Sequence, residues 1–205
     1  MKTSKALLDI RGYMAWAILA WTLSIGISFS LNIYQARQQV LKFAEVQARS
    51  SLNKDLVYRR WNASNGGVYV PITEKTQPNP YLKVPNRDVT TTTGIELTLI
   101  NPAYMTRQVR ELGEEQYDER GHITSLNPIR PQNAPDAWET EALKAFETGV
   151  TERSSVEVID GDQYLRVMIP LITEEGCLKC HAVQGYKVGD IRGGLSISVL
   201  LTPYM

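Results

Sequence analysis

SVEVIDGDQYLRVMI, residues 155–169, predicts a β-hairpin. Its two arms are rich in valine, isoleucine, leucine and tyrosine, as is typical of strands. The turn between the arms, Asp160-Gly161-Asp162, suits a tight antiparallel connection because glycine readily adopts the positive φ that such turns need. A further strand is predicted at residues 194–200, GLSISVL. These patterns indicate an antiparallel sheet.

Helices are predicted on the N-terminal side of this hairpin. Residues 134–148 have a helical pattern that Gly149 closes. Asn101 and Pro102 supply an N-cap and an N1 proline for a second helix over residues 103–114. The remaining segments are a predicted strand at residues 68–72 and proline-punctuated loops at residues 77–86 and 127–133. The mixture predicts an α+β domain in which helices flank an antiparallel sheet.

Both cysteines lie in one five-residue segment, Cys177-Leu178-Lys179-Cys180-His181. C-x-x-C-H is the pattern of covalent haem attachment. Two thiols at this spacing can each add to one vinyl group of a haem, and the adjacent imidazole of His181 can then bind the iron as proximal ligand. The segment is predicted to lie in a loop between strands, where a porphyrin has room. The sequence therefore predicts one covalently attached haem c.

Three other interpretations of the cysteine pair remain open. A redox-active C-x-x-C site usually begins a helix in a thioredoxin-like βαβ unit, and no such unit is predicted before Cys177. A zinc site would need a fourth ligand, and His122 is the only other histidine. A simple disulfide loop is the third possibility.

The second axial ligand of the iron and the partners of the haem carboxylates have several candidates. Met105 follows the Asn-Pro helix start and is the first candidate for the distal ligand of the iron. A methionine ligand would raise the reduction potential of the haem and form a weak iron–sulfur bond that small ligands could replace. His122, in a predicted glycine-led polar turn, is the alternative, whereas Met168 alternates within a strand and is expected in the core. Candidate propionate partners are Arg59 and Arg107, and after them Arg60 and Arg130.

Residues 12–36 contain no charged residue and no histidine. A membrane-spanning helix needs roughly 20 predominantly apolar residues, and this segment is long enough. Tyr13, Trp16 and Tyr34 lie near its ends, as do the aromatic belts of membrane proteins. A cleaved secretory signal is the alternative, since basic residues precede the segment. We expect an uncleaved transmembrane anchor.

A long stalk helix is predicted to follow the anchor. No glycine or proline interrupts residues 37–64, and apolar residues recur there at helical spacing until Gly66-Gly67 ends the pattern. Val40, Ala44 and Ala48 could form the contact of a homodimer. The expected organisation is a cytoplasmic N-terminus at residues 1–11, the anchor at residues 12–36, the stalk at residues 37–64 and a haem-binding domain at residues 65–205.

The charge balance argues against a nucleic-acid-binding protein. The sequence has 22 Lys and Arg residues and 22 Asp and Glu residues, so no surplus positive field attracts phosphates. Two cysteines are too few for a scaffold of several disulfides. We expect the protein not to be an enzyme.

The chain resembles the membrane-anchored, periplasmic c-type haem sensor domains of bacterial histidine kinases, diguanylate cyclases and chemoreceptors, over roughly residues 48–199. The resemblance is carried by residues 58–62, 66–71, 101–108, 121–128 and 177–181. It implies a PAS-like or Cache-like fold and a single haem whose redox state or ligation is reported to a cytoplasmic output. Because this type of haem attachment is completed outside the inner membrane, the domain is expected in the periplasm and the protein in the inner membrane as a single-pass protein.

Three candidate functions remain from these patterns. The first is a membrane-anchored sensor of redox state or of small diatomic ligands. The alternative is an anchored monohaem cytochrome that passes electrons to a periplasmic redox partner. Small carrier cytochromes usually have C-x-x-C-H near the start of a compact helical domain, whereas here it lies near the end of a strand-rich one, which favours sensing. A ligand-binding Cache-type module without haem is a third possibility.

Overall fold

The computed structural model describes residues 2–117 and 119–201, with side chains described from Ile10 onward. It divides into two units, one extending to Phe43 and the other beginning at Ala44. The first helix, α1, covers Lys2–Ser64 and contributes to both units. This uninterrupted helix confirms the helical part of the sequence prediction.

The first unit consists of the N-terminal part of α1. Among the described residues this is the one helix long and apolar enough to cross a membrane, and a signal sequence would meet the same criterion. Its apolar side chains are exposed, Trp16 and Trp21 at 72% each. The hydroxyl groups of Thr22 and Ser30 donate to carbonyl oxygens one turn earlier, at 2.8 and 2.9 Å, so these polar groups are satisfied within the helix as a bilayer requires. Anchoring itself stays a prediction.

The second unit begins with the remainder of α1, which packs into the domain. Ala44, Ala48 and Leu52 are at most 1% exposed. The helix ends where Gly66 and Gly67 have φ values of 75° and 106°, as the Gly-Gly pair predicts. Ala44 and Ala48, which belong to the predicted homodimer contact, are covered by their own domain, and the homodimer itself stays a prediction.

A three-stranded antiparallel sheet follows α1. Its strands are β1 (Val68–Pro71), β2 (Asp88–Thr90) and β3 (Glu96–Ile100), in the order β1-β3-β2. The predicted strand at residues 68–72 is confirmed. The sequence did not reveal β2, because three residues are too few to display a period of two.

Helix α2 (Pro102–Tyr117) and strand β4 (Arg120–Thr124) come next. Asn101 caps α2 as predicted, since its Oδ1 accepts the N–H of Tyr104 at 2.9 Å. The prediction of a polar turn around His122 is wrong, because this residue lies in β4 opposite Ser196. Arginine, glycine and histidine have little strand preference of their own, and pairing with a buried neighbouring strand overrides it.

The second sheet has four antiparallel strands in the order β4-β7-β6-β5. Strands β5 (Arg153–Ile159) and β6 (Asp162–Ile172) form the predicted hairpin, and its turn residues Asp160 and Gly161 both have positive φ. Strand β7 (Ile191–Leu200) lies between β4 and β6, with Leu165 opposite Val199. The α+β class is confirmed, with two antiparallel sheets in place of one.

Helix α3 (Ala137–Glu147) packs on β6 and β7. Its residues Ala142, Leu143 and Phe146 form a core cluster with Met168, which is fully buried as expected. The helix begins three residues later than predicted, since residues 131–133 form a separate 3₁₀ turn and Ala134, before a proline, is extended. Asp136 and Glu139 then form a capping box that starts the helix.

Candidate functional site

The cysteine-containing segment is a series of short helical turns that connects β6 to β7. A 3₁₀ turn at Glu175–Cys177 leads into α4 (Leu178–His181), and a second 3₁₀ turn follows. The base of this connection is closed by two backbone hydrogen bonds, from Thr173 N–H to Asp190 O at 2.8 Å and from Gly189 N–H to Thr173 O at 2.9 Å. Two adjacent core strands thus hold both ends of the segment.

Cys177 ends the first 3₁₀ turn, and Cys180 lies three positions later in α4. Both cysteines are free and partly buried. The N–H of Glu174 donates to the Sγ atom of Cys177 at 3.4 Å. Burial, followed by the neighbouring Cys177, raises the pKa of the Cys180 thiol. This arrangement fits two thioether bonds to one edge of a porphyrin.

The imidazole of His181 is held in one tautomer by Gln184. The Nε2 amide of Gln184 donates to the backbone oxygen of Asn127 at 2.9 Å, so its Oε1 atom faces His181 Nδ1 at 2.6 Å. An amide oxygen only accepts, so Nδ1 carries the proton and Nε2 keeps its lone pair. Burial is the main cause that lowers the pKa of His181 and favours the neutral ring. A neutral imidazole with a hydrogen-bonded Nδ1–H is the form that binds iron.

Cys180 and His181 both line a cleft of about 780 Å³, including the part open to solvent. Its apolar wall comes from Leu82, Tyr104, Ile123, Ile129 and Leu171, and its cations are Arg107, Arg130 and Arg192. A concave site with apolar walls and a few polar groups is typical of cofactor pockets. The residues present therefore fit a porphyrin with two carboxylates.

Two arginines of the cleft, Arg107 and Arg130, differ in their partners, and among the described residues only Arg107 forms an ion pair. Arg107 stacks on the ring of Tyr104 at 4.2 Å and reaches Glu111 at 3.6 Å. Arg130 donates to the neutral amide of Asn133 at 3.1 Å. Burial and then the charge of Arg107 lower the pKa of Arg130. A carboxylate between these two guanidinium groups would relieve their repulsion.

Arg59 and Arg60 do not line this cleft but a second cavity, together with Cys177. Arg192 lines both cavities. The sequence pattern did not single out Arg192, because this residue lies 11 positions beyond His181 and before the predicted strand at residues 194–200. Only the pairing of β7 with β6 brings it back to the cavities.

Neither predicted distal ligand lines the cleft with His181. On α2 the residues that face the cleft are Ala103, Tyr104 and Arg107, and Met105 projects from another side of the helix. Both ring nitrogens of His122 are engaged, Nδ1 with Glu139 Oε2 at 2.9 Å and Nε2 with the Gln132 backbone oxygen at 3.1 Å. Among the described cleft residues there is no methionine and no second histidine.

The other interpretations of the cysteine pair find little support in this arrangement. The segment follows an antiparallel strand, not a βαβ unit. No group of three or more His, Cys, Asp and Glu side chains could hold a metal ion within residues 2–117 and 119–201.

The His122–Glu139 pair predicts a pH-dependent stability. The hydrogen bond to Glu139 is the main cause that raises the pKa of His122 above 6.5. The stabilising effect of protonated His122 is therefore complete below about pH 6.5 and is lost as the pH rises through the pKa of His122 in the folded protein. We expect the difference in Tm between the full-length protein and the His122→Gln variant, measured in detergent, to be largest at acid pH and to shrink toward alkaline pH. A difference that does not change with pH would contradict a protonated His122.

The sequence matches a protein-family profile, and the fold is similar to a solved structure. The profile of the family described as Tll0287-like matches residues 35–199. The fold is similar to the crystal structure of the cyanobacterial heme-protein Tll0287, with a TM-score of 0.52 and 14% sequence identity over 78% of this chain and 94% of that one. No curated protein matches the sequence.

Proposed function

The chain belongs to the Tll0287-like family, and from this membership and the geometry around His181 we propose that it is a haem c protein that senses redox state or small ligands. Cys177 and Cys180 would hold the haem through thioether bonds, and His181 Nε2 would bind the iron. The observation that carries the proposal is the hydrogen-bonded chain His181–Gln184–Asn127, which leaves Nε2 of His181 free to bind a metal. The similar cyanobacterial structure is that of a heme-protein, which supports the same cofactor.

Different residues of the chain would orient the histidine, exclude water and bind the haem carboxylates. Gln184 orients His181 and strengthens it as a ligand, since a hydrogen bond from Nδ1–H makes the imidazole a better donor. Leu82, Ile129 and their apolar neighbours exclude water from one face of the cleft. Arg107 and Arg130 would bind the carboxylates. A bound haem would supply a one-electron redox centre and a coordination position for a small molecule.

We propose sensing ahead of electron transfer because of what surrounds His181. The described residues of its cleft include neither a methionine nor a second histidine, so a haem held there by His181 would be able to bind a diatomic ligand. The motif lies between two core strands of what we propose to be a PAS-like or Cache-like domain. Electron transfer is the second candidate, and it is supported by the partial exposure of Cys177 and Cys180 near the molecular surface.

The apolar part of α1 supports a membrane-anchored form of this protein. We propose that this segment crosses the inner membrane once and that the second unit lies in the periplasm, where covalent attachment of haem can be completed. A stalk dimer remains a proposal, without Ala44 and Ala48 in its contact.

Carbon monoxide binding separates the two candidate functions. The full-length protein, produced with a c-type maturation system, should carry one haem by mass spectrometry and by its pyridine haemochrome spectrum. Its reduced form should bind carbon monoxide, seen as a shift of the Soret band, and the Met105→Ala variant should bind it equally well. A methionine-to-iron charge-transfer band in the oxidised protein, with no carbon monoxide binding, would favour the electron carrier.

A further inference from the structure

A second cavity, which Cys177 lines, has three arginines and one glutamate in its wall: Arg59, Arg60, Arg192 and Glu174. Its volume is about 610 Å³, including the part open to solvent. One wall comes from the last turns of α1, with Leu56 and Arg59, and the other comes from the end of β6 and from Arg192.

Arg59 is buried and forms no ion pair within residues 10–117 and 119–201. It is 5% exposed, and its Nη1 atom donates to two neutral acceptors, the Pro102 backbone oxygen and the Thr106 hydroxyl, each at 3.1 Å. Asp55 lies one turn earlier on α1, but its carboxylate pairs with Arg110 at 2.6 Å. Burial and then the charge of Arg192 lower the pKa of Arg59 to about 9. The guanidinium is thus still charged at neutral pH, although burial of an unpaired charge is costly.

Arg192 is the second unbalanced cation. Its Nε atom is buried and has no hydrogen-bond partner in the part of the chain that the structure describes. The carboxylate of Glu174 also lines the cavity, but it pairs with the exposed Arg60 at 3.2 Å. Of the three arginines that line the cavity, Arg59 and Arg192 therefore have no paired carboxylate among the residues that the structure describes.

We propose that this cavity binds a carboxylate between Arg59 and Arg192. A guanidinium group pairs with a carboxylate through two parallel hydrogen bonds, which would use donors that have no anionic acceptor here. The apolar walls formed by Leu56, Leu171 and Ile172 suit a short hydrocarbon tail and would leave the extra oxygens of a phosphate unsatisfied. The class of ligand is a small aliphatic monocarboxylate.

The haem itself is the other possible source of a carboxylate. Cys177 lines this same cavity, and thioethers form at the vinyl edge of a porphyrin, whereas the propionates are at the opposite edge. We therefore assign the site to a free carboxylate, whereas the haem propionates would bind to Arg107 and Arg130. The site does not depend on the proposed haem, because its charge imbalance comes from the protein side chains alone.

Ligand-dependent thermal stability of the full-length protein in detergent tests this site. Butyrate should raise the Tm in proportion to the logarithm of its concentration, whereas butylamine and phosphate should not. Arg59→Gln and Arg192→Gln should each abolish the shift, and Arg153→Gln, which removes the same charge from strand β5, should keep it. No shift with butyrate, an equal shift with phosphate, or an unchanged shift in both arginine variants would overturn the proposal.

A haem-free form separates the two sources of carboxylate. The wild-type protein produced without a c-type maturation system keeps every side chain of the cavity and should respond to butyrate as the haem-loaded protein does. If this haem-free protein responds and the loaded protein does not, the haem's own propionate occupies the arginine pair, and the assignment to a free ligand is overturned. Because butyrate binding is read from Tm, its failure is distinct from a failure to attach haem.

Discussion

The Cys177→Ala/Cys180→Ala variant is expected to lose all covalently bound haem. The two thiols are three positions apart around the start of α4, and among the described residues they are the only thiols. Without them His181 would remain as a single weak attachment point in a cleft open to solvent. The mass of the purified variant should equal that of the polypeptide alone, and acid-acetone extraction should remove any residual colour.

Single cysteine variants and a control variant at Lys179 test whether each thiol forms its own thioether bond. Cys177→Ala and Cys180→Ala should each leave at most one thioether, which shifts the pyridine haemochrome band toward that of a singly attached haem. Lys179→Ala, which changes the exposed residue between the cysteines, should leave attachment unchanged. Haem that resists extraction in the double variant would contradict thioether attachment.

The Leu19→Arg/Leu23→Arg variant is expected to be released from the membrane. These residues are 48% and 57% exposed and lie near the middle of the uncharged segment. An arginine at the centre of a membrane helix costs about 2.5–3.5 kcal/mol on insertion scales, so two of them would oppose insertion strongly. The measurement is the share of full-length protein in the membrane pellet after an alkaline wash. Because the second unit would then not be exported, the variant should also lack haem.

A matched pair of substitutions on the same helix serves as the control. Val46→Arg and Val57→Arg together change two exposed valines of α1 outside the apolar segment and should leave the protein in the membrane. A periplasmic reporter at the C-terminus should be active in the wild type. A soluble wild-type protein with a shortened N-terminus would show that the segment is a cleaved signal instead.

Local patterns predicted the elements that depend on neighbouring residues. The hairpin at residues 155–169 is correct because the Asp-Gly turn and the β-branched arms favour the same structure. The end of α1 and the start of α2 follow from Gly66, Gly67 and Asn101, since caps and positive φ are properties of a few adjacent residues. The proximity of Cys177, Cys180 and His181 needs no tertiary contact.

Other features depend on contacts between distant parts of the chain. Strand β4 exists because β7 pairs with it, and His122 finds Glu139 only through that pairing. The buried face of α1 could not be distinguished from an exposed dimer contact, because helical spacing shows that a face is apolar and not what covers it.

Neighbouring residues alone specify the reactive groups of this protein's site, two thiols and an imidazole at a spacing set by the covalent chain. What surrounds those groups depends on the folded domain. Gln184, which bonds to Asn127 across 57 residues of sequence, orients His181. Arg59 and Arg192, which are far apart in the sequence, line the same cavity as Cys177. A short motif is encoded by adjacent residues, whereas a cavity and its charge balance arise only when separate strands and helices pack together.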